Sequence, residues 1–131
     1  MTSLDLVTVR KEICLEDMQR YSGEDNHHGD PEAGRRLGLG GAIAQGGQLA
    51  GYLNEMMTLT LGEGFIDDGE ISVSFVQPVR PGDIVTSGGT LTTQSRMDGR
   101  LRVEYDIWLA NQHGQKVSVG KASGWAYPQP E

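Results

Sequence analysis

Between Glu24 and Pro31 the chain reads Glu-Asp-Asn-His-His-Gly-Asp-Pro, with two carboxylates, an amide and two imidazoles in five consecutive positions. Imidazole exchanges protons near neutral pH, a carboxylate can orient it or share its proton, and an asparagine amide can hold water or a polar substrate group. Those are the parts that general acid–base chemistry needs. The same residue types are also ordinary turn formers, so the segment taken alone reads more readily as a solvated turn.

A second feature follows. Seven of the 19 glycines fall between residues 34 and 51: Gly34, Gly38, Gly40, Gly41, Gly46, Gly47 and Gly51. At a helix N-terminus glycine leaves the amide N–H groups bare, at the positive end of the helix dipole. A carbonyl gaining negative charge is well placed against Gly46 and Gly47. Tight packing of a helix on a sheet accounts for the same glycines without any chemistry.

The elements that must position these groups are legible from periodicity. Residues 42–61 read as one helix, with Ile43, Gly47, Ala50, Leu53, Met57 and Leu61 at steps of three and four. Leu49, Tyr52, Met56 and Leu59 extend the apolar surface almost all round, so the helix must be largely buried and wrapped by a sheet. A short helix starting near Leu15-Glu16-Asp17 brings the chain to Tyr21-Ser22-Gly23. Leu101, Val103, Tyr105, Ile107 and Leu109 alternate with Arg102, Glu104 and Asp106, the pattern of a strand with one buried face. Ile71–Phe75, Ile84–Gln94 and Lys116–Tyr127 are further strands. Asp98-Gly99 and Asn111–Gly114 are placed to close hairpins. Trp108 breaks the alternation and is expected at an interface or under a neighbouring element. The expected class is α+β: one domain over residues 1–131, with a long antiparallel sheet around a central helix.

Composition narrows the function. The 131 residues carry 11 Lys+Arg against 18 Asp+Glu, a net charge of −7. Nucleic acid and anionic membranes call for a basic surface, so neither is an expected partner. Cys14 is the only cysteine and cannot form an internal disulfide. Cys14, His27, His28 and His113 lack the paired spacings of a zinc site, so no metal is expected. No signal peptide or membrane span is evident, and the expected location is the cytoplasm.

Taken together, the run from Tyr21 to Pro31, the stretch Gly34–Gly46 and the segment Val73–Asp83 resemble the MaoC-like hydratases/dehydratases, which have the hotdog fold. The last segment, Phe75-Val76-Gln77-Pro78-Val79-Arg80-Pro81-Gly82-Asp83, matches the Phe…Pro-Val-x-Pro-Gly-Asp pattern after that family's central helix. The family's catalytic motif reads Gly-Asp-x-Asn-Pro-x-His-x-Asp-Pro. Counting back from Asp30-Pro31 puts its histidine on His28, and counting forward from Gly23 puts its aspartate on Glu24 and its asparagine on Asn26. The two alignments differ by one residue, so the loop is shorter here and the proline position is lost. The carboxylate partner of His28 is then Glu24 by position or Asp25 by residue type.

What the resemblance implies is addition of water to, or its removal from, a 2-enoyl/3-hydroxyacyl thioester on coenzyme A or a carrier protein. Glu24, Asp25, Asn26 and His28 would form the catalytic set. Gly46, Gly47, Gln45 and Arg80 would bind the substrate, with no cofactor beyond the thioester itself. Hotdog folds usually pair edge to edge, so a homodimer or dimer of dimers is expected. A hotdog thioesterase, a biosynthetic dehydratase or cyclase on an unusual substrate, and a non-catalytic acyl-binding hotdog are the alternatives.

Overall fold

The computed structural model describes residues 4–127. In chain order the elements are β1 (Arg10–Glu12), α1 (Leu15–Ser22), α2 (Pro31–Arg36), α3 (Gly46–Leu61), α4 (Glu63–Ile66), β2 (Glu70–Phe75), β3 (Ile84–Met97), β4 (Arg100–Ala110) and β5 (Lys116–Ala126). The strands form one antiparallel sheet in the order β1-β3-β4-β5-β2. The strands after the helix lie where their alternation predicts, and β3 runs three residues past the expected Gln94.

The β3–β4 hairpin closes at Asp98 and Gly99, both left-handed, with φ of 53° and 77°. That geometry matches the right-handed twist of the flanking strands, which is why Asp-Gly suits the position. On β4 the inward set Val103, Tyr105, Ile107 and Leu109 is buried, and Glu104 and Asp106 are exposed. Trp108 lies on the outer face, partly covered by the Lys116 ammonium 4.3 Å above its ring.

Helix α3 lies in the concave face of the sheet. Leu49, Leu53, Met56, Met57 and Leu61 are buried against Val85, Val103, Ile107, Leu109 and Val117. Each such side chain contributes about 1.5–3 kcal/mol. The expected helix over 42–61 is shorter at its start, and the cause is hydrogen bonding. The Ile43 amide donates to the His27 carbonyl at 3.1 Å and the Ala44 amide to the Val79 carbonyl at 2.7 Å. Residues 42–45 are thus held extended, and α3 begins at Gly46 with Gln45 as its N-cap. Helix α2 and strand β1 are short pieces without a full period of their own, and periodicity did not reveal them.

Tyr105 ties the N-terminal segment to the sheet, its hydroxyl donating to the Leu4 carbonyl at 2.7 Å. Burial, and secondarily the charge of Asp5, pushes its hydroxyl above the ordinary value of 10.0. The folded state therefore favours the neutral phenol. Stability from this shift is complete below about pH 10 and is lost as the pH climbs through the raised value. Tyr105→Phe is expected to cost about 1 kcal/mol in denaturant melts at pH 7. The same variant is expected to lose less stability than the native chain between pH 9 and 11.

Candidate functional site

The polar loop leaves α1 at Gly23 and enters α2 through Asp30 and Pro31. Asp30 caps α2, its Oδ1 accepting the Glu32 amide at 3.0 Å, and Pro31 sits at the first helical position, where a missing N–H costs nothing. Between these ends the chain folds back on itself. Gly29 lies so close to the Gly23 carbonyl that a Cβ there would overlap it.

Asn26 organises the loop. Its Nδ2 donates to the Ser22 carbonyl at 2.7 Å, and its Oδ1 accepts the His28 amide at 2.9 Å. Both ends of the amide thus hold backbone, and Asn26 acts as a positioning residue for His28.

His28 is the residue this framework presents. Its Nδ1 lies 2.9 Å from the Ile43 carbonyl oxygen. A carbonyl only accepts, so Nδ1 must carry the proton and the neutral ring keeps its lone pair on Nε2. The His27 ring packs at 3.9 Å between centroids, tilted by 44°, and helps fix the imidazole. The sequence left the tautomer open, because Ile43 lies 15 residues away.

His28 lines a cavity of about 420 Å³ together with Leu39, Ile43, Ala44, Gly46, Leu49 and the segment Phe75–Val79. The wall is mostly apolar, with His28, Gln77 and the start of α3 as its polar features. The Gly46 and Gly47 amides have no acceptor among the described residues, whereas Gln48 and Leu49 donate to the Gln45 carbonyl. Bare N–H groups at the positive end of a 16-residue helix suit an oxygen that gains negative charge. The Phe75 ring lies across Gly46, so close that a Cβ there would stand 2.6 Å from it.

The other candidates are placed differently. Glu24 and Asp25 are exposed and make no hydrogen bond or ion pair among the described residues, so neither meets His28 here. Gln45 is exposed, its Oε1 accepting the Ser22 hydroxyl at 2.7 Å. Gly47 faces the Tyr21 hydroxyl, away from the cavity. Arg80 is half-buried beneath Gly40 and Gly41, with Nη1 buried and unpartnered, and it does not line the cavity. Sequence reasoning missed Ile43, Leu39 and Phe75 as parts of the site, since nothing in their types separates them from core residues. Among the described residues no three His, Cys, Asp or Glu side chains converge as metal ligands, and no helix is long and apolar enough to cross a membrane.

No protein-family model and no curated protein matches the sequence. Solved structures do match in three dimensions. The MaoC-like dehydratase from Rhodospirillum rubrum superposes with a TM-score of 0.81 at 22% identity, over 100% of this chain and 96% of that one. The (R)-hydratase from A. caviae involved in PHA biosynthesis gives 0.76 at 21% identity, over 95% of each chain. A hypothetical thioesterase from Streptococcus pneumoniae, solved with coenzyme A, gives 0.63 at 17% identity, over 100% of this chain and 85% of that one. The chain is therefore an α+β hotdog fold, similar in architecture to the MaoC-like dehydratase and the (R)-hydratase among these structures.

Proposed function

We propose that the protein is a MaoC-like hydratase/dehydratase acting on a 2-enoyl or 3-hydroxyacyl thioester. The observation that carries this reading is one largely apolar cavity lined by both His28, whose Nδ1 is held by the Ile43 carbonyl, and Gly46 at the bare amide end of α3. An acyl chain fits the apolar wall. The thioester oxygen accepts the Gly46 N–H, and its growing enolate charge is stabilised there.

In hydration, His28 Nε2 takes a proton from water as the water oxygen bonds to C3. The C2–C3 π electrons move toward the thioester oxygen, and C2 then takes a proton as the enolate collapses. His28 returns its proton in that step. Dehydration runs the same steps backwards. Nδ1–H on the Ile43 carbonyl keeps the ring oriented throughout.

A thioesterase is the second reading, favoured by the thioesterase among the structural neighbours. Incubation with crotonyl-CoA separates the two: loss of enoyl absorbance without free thiol is expected, and thiol release would establish hydrolysis instead. His28→Ala is expected to lower kcat by about 10²–10⁴-fold. Gly46→Ala and Gly46→Pro both carry a Cβ toward Phe75, but only proline, tolerated at a first helical position, deletes the N–H. The proline variant is expected to fall about 10²–10³-fold below the alanine variant in kcat. Equal rates would exclude the amide.

We also propose a homodimer joined through β2. This edge strand carries unpaired backbone groups on one side and ends at exposed Phe75, followed by exposed Val76, and both are better covered than hydrated. Sedimentation equilibrium is expected to give about twice 14.2 kDa, and a monomer at micromolar concentration would refute it.

A further inference from the structure

Helix α2 ends in a Schellman motif. The Leu39 amide donates to the Gly34 carbonyl at 2.9 Å and the Gly38 amide to the Arg35 carbonyl at 3.0 Å, with Gly38 at φ 77°. The left-handed residue turns the chain sharply, so that Leu37 is left 64% exposed while Leu39 is half-buried in the wall of the His28–Gly46 cavity. The far side of the turn is also held. Gly34 is buried so close to the Gly41 carbonyl that a Cβ would overlap it, and Gly40 and Gly41 lie over the Arg80 guanidinium.

Most of the remaining apolar lining is committed elsewhere. Ala44, Leu49 and Val79 belong to the buried core, and Ile43 holds His28 through its carbonyl. Phe75 and Val76 lie at the sheet edge. Leu39 is the branched side chain that reaches the cavity on a separately braced turn. It takes no part in the hydrogen bonds that hold His28 and its loop.

We infer that Leu39 is the specificity residue that limits the length of acyl chain the cavity accepts. The inference rests on the acyl-thioester reading above, and it is tested by binding rather than turnover. Calorimetric titration with butanoyl-, hexanoyl- and octanoyl-CoA, which are saturated and cannot be hydrated, gives an affinity ratio of long to short chains for each variant. Leu39→Ala is expected to raise the octanoyl-to-butanoyl ratio about tenfold, the scale set by one or two methylenes in an apolar pocket. Leu39→Phe is expected to lower it by a similar factor, and Leu37→Ala, on the exposed side of the turn, to leave it unchanged. The same ratio in the native chain, Leu39→Ala and Leu39→Phe would overturn the inference, as would failure of all three thioesters to bind. The hydratase reading fails separately, if these ligands bind with the expected shift while crotonyl-CoA is not hydrated.

Discussion

The site depends on how the four residues Ala42–Gln45 are held. Three hydrogen bonds on the Ile43 and Ala44 backbone fasten the strip: Ile43 N–H to the His27 carbonyl, His28 Nδ1–H to the Ile43 carbonyl, and Ala44 N–H to the Val79 carbonyl. They join the polar loop, the lead into α3 and the connection after β2. They also keep the helix from starting four residues earlier. Were residues 42–45 helical, the Ile43 carbonyl would be engaged along the helix axis and the histidine would lose its orienting partner. The amide end of α3 would also move by about a turn, some 5 Å, from the cavity.

Around that strip the fold supplies rigidity at little polar cost. The inward face of β4 and the buried stripe of α3 interlock, so the helix that carries Gly46 cannot shift without opening the core. The loop is held by short-range devices instead: the Asn26 amide between Ser22 and His28, the Asp30 cap with Pro31, and the Schellman turn after α2. A rigid helix end faces a braced loop across the cavity, and that arrangement can hold one reacting group from each side.

Charge is unevenly divided along the chain. Residues 1–70 hold 13 acids and five bases, and the exposed Arg35 is already paired with Glu32. An anionic carrier therefore meets few free cations on this half of the chain. The buried, unpartnered Nη1 of Arg80 lies beneath the Gly40–Gly41 turn rather than on an open surface. Under the proposed function, recognition falls more heavily on the acyl chain and the thioester oxygen, for which the cavity has a largely apolar wall and a bare amide.

The sequence by itself determined the elements whose pattern is local. The alternation from Leu101 to Leu109, the three-and-four spacing through Leu53 and Met57, and the Asp98-Gly99 turn each require only neighbours in the chain. Residue type marked the Glu24–His28 run and the Gly46–Gly47 pair, and the family motif that the run resembles pointed to His28 within it. Tertiary structure decided the rest, because each decision joins residues far apart in sequence. The first turn of the expected helix was lost to carbonyls at 27 and 79, and the proton on His28 was assigned by Ile43. Asn26 became a brace for the loop backbone, and Leu39 entered the cavity because a left-handed glycine turned it there. Periodicity reports which face of an element is apolar; it carries no information on which distant backbone group will claim a given N–H or carbonyl.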